Sequence, residues 1–72
     1  MSEAKQIEMV YEIISNAKRM IALVYKPDKE LFADPKHIKD EKIREFYYEM
    51  NSMCVELADR NIMLWQKEDQ NG

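Results

Sequence analysis

Glycine occurs once in this 72-residue chain, at its last position, and proline twice, at Pro27 and Pro35. Without interior glycine there is no glycine-rich loop to wrap a phosphate and no glycine turn of the kind that β-hairpins favour. A single cysteine, Cys54, excludes an internal disulfide, and a single histidine, His37, leaves any zinc site short of ligands. Long hydrophobic runs are missing too: Met20 to Tyr25, the longest, has six residues, against the roughly 20 that span a bilayer. The first residues, Met1-Ser2-Glu3-Ala4-Lys5-Gln6, lack the basic and then apolar order of a secretion signal. These absences lead us to expect a soluble, cytoplasmic protein with Cys54 as a free thiol, no cofactor and no membrane association.

A concentrated basic stripe is also lacking. Counting Lys and Arg against Asp and Glu, residues 1–25 stand at 3 versus 3, residues 26–44 at 6 versus 5, and residues 45–72 at 2 versus 6. The acid gathers toward the C-terminus, where it repels phosphate backbones. Lys36, Lys39, Lys42 and Arg44 are the best candidates for phosphate contact, but Asp34, Asp40 and Glu41 are interleaved with them. Their ordinary role is a solvated helix start, and nucleic-acid binding is not expected.

What is present is helical pattern. Hydrophobic residues make up 46% of the chain and charged residues 35%, too apolar for disorder, so the chain should fold as one domain. From Glu3 to Tyr25 no proline or glycine intervenes, and Ile7, Val10, Ile14, Ala17, Ile21 and Val24 recur at steps of three and four. Met9, Ile13, Met20 and Leu23 widen that stripe beyond a coiled-coil seam. Ser2 is the N-cap candidate, and Pro27 stops the helix near Tyr25 or Lys26.

The connector, residues 26–40, is expected to form one helical turn over about Asp28 to Ala33. That turn folds Leu31 and Phe32 over the bundle end; the alternative leaves Phe32 exposed as a contact residue. Two starts are open for the second helix, Asp34-Pro35 and Asp40, and the adopted reading begins it at residue 41. Its inward stripe is Ile43, Tyr47, Met50, Cys54, Leu57, Asn61 and Leu64, broadened by Phe46, Met53, Ala58, Ile62 and Trp65. The helix should end near Lys67, because Glu68 and Asp69 meet the negative end of its dipole, leaving residues 68–72 as a frayed tail.

Side chains that could carry chemistry have plainer roles. Cys54 falls on the inward stripe with no histidine beside it, which is the place of a small core residue rather than a nucleophile. Met9, Met20, Met50, Met53 and Met63 suit an irregular core better than copper ligation, which needs clustered sulfurs with His or Cys. Asp34 and His37 are too few for a metal, and Glu45 and Glu49 lie among solvated charges with no pocket to shift a pKa. Asn61, among apolar neighbours, is costly to bury without a hydrogen-bonding mate: either it selects register or partner, or the helix rolls slightly to leave it at the edge with Ala58, Ile62 and Trp65 inward. Tyr48 should point outward, since adjacent Tyr47 and Tyr48 diverge by about 100°. With Tyr11 and Tyr25 it could form an aromatic contact rim.

The expected architecture is an all-α antiparallel hairpin with a short connector helix, two copies pairing into a four-helix bundle. The reason is surplus apolar surface: Met9, Ile13, Met20, Leu23, Phe46, Tyr48, Met53, Asn61, Ile62 and Trp65 are the candidate interaction residues, more than one hairpin can shelter. The expected function is a non-catalytic interaction or regulatory module, a homodimer with scope for a cytosolic protein partner. A small inhibitor or adaptor of the kind mobile elements encode, binding a host protein, and an RNA-binding hairpin dimer are the alternatives.

Overall fold

Local chemistry sets both ends of the first helix. In the computed structural model, which describes the backbone of residues 2–71 and the side chains of residues 2–67, the Ser2 hydroxyl accepts from the Lys5 N–H at 3.1 Å, and helix α1 runs Glu3–Tyr25. At the other end Lys26 is extended, as the residue before a proline tends to be, and its N–H still reaches the Leu23 carbonyl at 3.2 Å. Both candidate caps of the second helix are used. Asp34 accepts from the Lys36 N–H at 2.9 Å and caps a single 3-10 turn, Pro35–His37. Asp40 accepts from the Ile43 N–H at 3.0 Å, and its carbonyl takes the first helical bond, from Arg44. Helix α2 follows, Glu41–Asn71.

The two helices form an antiparallel hairpin. Lys18 bonds Asn51 and, one end further on, Asn61 bonds Ala4, so the register falls along one helix as it rises along the other. The result is a rod of 50 × 22 × 16 Å with a radius of gyration of 15.4 Å, against about 11 Å for a compact domain of this length. Such a rod has little interior: among the described residues only Ala4, Ala22, Ile38, Met50, Cys54 and Leu57 are buried.

Helix α2 presents the face its periodicity predicts. All seven stripe residues, Ile43, Tyr47, Met50, Cys54, Leu57, Asn61 and Leu64, are buried or half-buried. Helix α1 does not. Val10 and Val24 of its stripe are exposed, while Ala4 and Ala22 are buried and Ser15 and Lys18 half-buried. At about 100° per residue, the buried face is rolled roughly 60–70° from the centre of the apolar stripe. Its members are Ala4, Ser15, Lys18, Ala22 and Tyr25, with the isoleucines Ile7, Ile14 and Ile21 half-buried beside them and Tyr11 at its open edge. Two causes are visible. Ala4 and Ala22 let the backbones approach at both ends, and Lys18 is held centrally, its Nζ 2.9 Å from Asn51 Oδ1 and 5.7 Å from the Tyr47 ring centroid.

The connector corrects the expected turn and plug. No helical turn forms over Asp28 to Ala33; a single turn closes from Glu30 N–H to the Pro27 carbonyl at 3.0 Å, and the Lys26 ammonium donates to the carbonyls of Pro27 and Glu30. Leu31 and Phe32 then lie on a bend, 87% and 81% exposed. The plug is Ile38, at 0% exposure. Placed between the 3-10 turn, which touches both helices, and the Asp40 cap, it is clamped by Arg44, whose guanidinium donates to the Ile38 carbonyl at 3.1 Å. Phe32, separated from that anchored position by five residues of chain, lies on the exposed bend instead, and the backbone between them is extended at Asp34 (φ −136°, ψ 131°).

Helix α2 also runs past the Lys67 end expected from the sequence, to Asn71. No proline or glycine precedes Gly72 to stop it, and an acid at a helix C-terminus costs only a few tenths of a kcal/mol up to about 1. The side chains of residues 68–71, and Gly72 itself, lie outside the described residues, as does the fraying expected there.

Candidate interaction surface

Because α1 is rolled, the apolar surface that the sequence presents as one broad face divides into two flanks. On the first, Val10, Ile13, Ala17, Met20 and Val24 of α1 form a row facing away from the hairpin interior. Ile13 and Met20 are each 65% exposed and Val24 79%. Phe46 and Met53 of α2, both exposed, continue this row across the helix pair. Between the helices Ile13, Ile14, Ala17, Phe46, Met50 and Met53 line a groove of about 400 Å³ whose single charged neighbour is Glu49.

The second flank is mixed. Toward the open end of the hairpin, Glu8, Tyr11 and Glu12 of α1 face Asn61, Ile62 and Trp65 of α2 across a groove of about 560 Å³. Trp65 belongs to the half-buried side of α2, yet it is 41% exposed. Asn61 pairs with Ala4 one turn before it, which places Trp65 near the level at which α1 starts. Helical side chains tilt toward the N-terminus of their own helix, which leans Trp65 back over the groove. Tyr48, 51% exposed, packs edge-on against Tyr47 with ring centroids 5.7 Å apart.

The candidate residues therefore do not form one patch. Ile13, Met20, Phe46 and Met53 share the first flank, Ile62 and Trp65 line the second, and Met9 and Leu23 are exposed on the outer side of α1. Asn61 is satisfied within the chain: its amide donates to the Ala4 carbonyl at 2.7 Å and it is half-buried. The three-tyrosine rim does not assemble either. Tyr11 and Tyr25 lie fourteen residues apart on α1, about 21 Å along the axis, and Tyr25 is half-buried. Surface residues that periodicity alone passes over are Val10, Val24, Leu31, Glu8 and Glu12. The signal for the first two was the seven-residue row Val10, Ala17, Val24, which cannot be buried together with Ala4, Lys18 and Tyr25.

Electrostatics on this surface is mild. Ion pairs Lys5–Glu8 at 3.8 Å, Lys36–Asp34 at 3.9 Å and Arg60–Glu56 at 3.1 Å are solvent-exposed, a class worth at most about 1 kcal/mol each. The Tyr47 hydroxyl titrates above its ordinary value because burial disfavours the phenolate, with the charges of Tyr48 and Asp34 adding to the effect. Cys54 is buried and free. Among the described residues no group of three or more His, Cys, Asp or Glu side chains is placed to hold a metal ion, and no helix is long and apolar enough to cross a membrane.

Comparison of the chain with protein-family models, with curated proteins and with solved structures finds no match.

Proposed function

We propose that this chain is a non-catalytic interaction module that self-associates through the first flank, two hairpins pairing into a four-helix bundle. One observation carries the reading: α1 leaves an apolar row, Val10, Ile13, Met20 and Val24, exposed beside its half-buried isoleucines Ile7, Ile14 and Ile21, and Phe46 and Met53 of α2 extend it. A hairpin optimised to stand alone would bury that row and expose Lys18. Summed over these six side chains, the exposed area is about 700 Å² per hairpin, close to the ~800 Å² per partner of a standard stable interface. At about 25 cal/mol per Å², covering it on two hairpins is worth tens of kcal/mol before the costs of association, a large term for a rod with so small an interior.

The test is sedimentation equilibrium at micromolar concentration. The wild-type chain is expected at twice its own mass. Ile13→Glu combined with Met20→Glu, two substitutions at positions already open to solvent within a hairpin, is expected at the single-chain mass with its helical circular dichroism largely kept. A wild-type chain that sediments as a monomer, or a double variant that remains a dimer, overturns the reading.

A further inference from the structure

We infer that the groove on the second flank is a receptor for an arginine side chain on a basic segment of a partner protein. Its two walls have different chemistry. The α2 wall is mostly apolar and aromatic, Ala58, Ile62 and Trp65 with Asn61, whose amide is already engaged by Ala4, while the α1 wall carries Tyr11 and the two acidic residues Glu8 and Glu12. An arginine matches that division along its length. Its aliphatic stem lies on apolar surface, its guanidinium plane stacks on an indole or phenol ring, and its N–H fork meets carboxylates.

Three further observations favour a cation as occupant. Glu8 and Glu12 are an i, i+4 pair of like charge, a mutually destabilising arrangement on a helix that a bound cation relieves. Within the chain the only cation paired with either among the described residues is Lys5, an exposed contact at 3.8 Å to Glu8. The helix that builds the opposite wall belongs to the acidic part of the chain, with 2 basic against 6 acidic residues over 45–72, so the long-range field attracts basic partners and repels phosphate. The groove is about 560 Å³, within the range of sites that enclose small ligands, and more than one side chain of a docked segment can enter it.

This groove shares no lining residue with the one on the first flank, so the inference does not rest on self-association. Spectroscopy is direct because Trp65 is the chain's one tryptophan. The experiment titrates the full chain with a capped helical peptide bearing arginines at i and i+4 among leucines, following Trp65 emission, and repeats the titration with the same peptide carrying neutral citrulline. We expect a saturable change with the arginine peptide, at least about tenfold weaker with citrulline, and weakened by added salt. Glu8→Gln combined with Glu12→Gln, two exposed or half-exposed positions whose change removes repulsion within α1, is expected to keep the helical signal and to lose the preference for arginine over citrulline. Equal affinity for the two peptides, no saturable change in Trp65 emission, or an undiminished arginine preference in the double variant overturns the inference. Sedimentation reports on the other flank, so either conclusion can fail alone.

Discussion

Replacing Ile38 with alanine should destabilise the protein far more than the same truncation of Phe32, although phenylalanine is the larger side chain. Ile38 is wholly buried, and truncation to alanine removes three carbon groups worth about 0.8 kcal/mol each. A share of the cavity left behind brings the loss to about 3 kcal/mol, inside the usual range of roughly 2–5 for such changes. Phe32 is 81% exposed, so about a fifth of its surface is at stake, and the expected loss is about 0.5 kcal/mol. In urea, with a slope of about 1 kcal/mol per M for a chain this small, the midpoints should fall by roughly 3 M and 0.5 M. A small helical rod has only a few kcal/mol in hand, so Ile38→Val, expected to cost about 1 kcal/mol, keeps the comparison measurable where Ile38→Ala leaves no folded baseline. All three must be measured at one protein concentration, because a self-associating fold gains apparent stability by mass action. A midpoint drop for Phe32→Ala as large as that for Ile38→Val or greater would refute the assignment of Ile38 as the plug.

Asn61→Ala should lower stability by about 1 kcal/mol, the net worth of one neutral hydrogen bond. The Ala4 carbonyl keeps its own helical partner, so nothing buried is orphaned. Asn61→Asp should cost more, since it sets a carboxylate against that carbonyl 2.7 Å away; urea midpoints for both variants check the order, and an Asp variant as stable as wild type would contradict the register contact. The raised pKa of Tyr47 has an alkaline consequence. As pH climbs the unfolded chain releases this phenolic proton first, so the contribution is complete below about pH 10 and is lost as pH rises through the higher folded value. Comparing wild type with Tyr47→Phe at about pH 8 and about pH 11 isolates the effect from the lysines: the variant should lose less stability over that interval, and an equal loss would show that the hydroxyl is not held neutral by the fold.

Much of the architecture is written in local chemistry. Ser2, Pro27 and the unbroken periodicity between them place α1 at Glu3–Tyr25, and Asp34 and Asp40 narrow the start of α2 to two positions, of which the fold uses Asp40 for the long helix, because caps and proline act within a turn or two of their own position. The inward face of α2 was equally legible, since one dominant stripe competes with nothing. Three features were not. Which of two adjacent faces α1 turns inward depends on how closely two backbones can approach and on whether Lys18 finds Asn51 and Tyr47, both long-range matters. Whether Phe32 or Ile38 closes the bundle depends on the path of the connector, set by the Lys26 and Arg44 contacts to backbone carbonyls. The groove beside Trp65 depends on which faces of the two helices meet, since Glu8, Tyr11 and Glu12 come from α1 and Asn61, Ile62 and Trp65 from α2. Periodicity reports how much apolar surface a helix carries, and only packing decides which part of that surface is covered; in this chain that choice leaves the valine, isoleucine and methionine row outside.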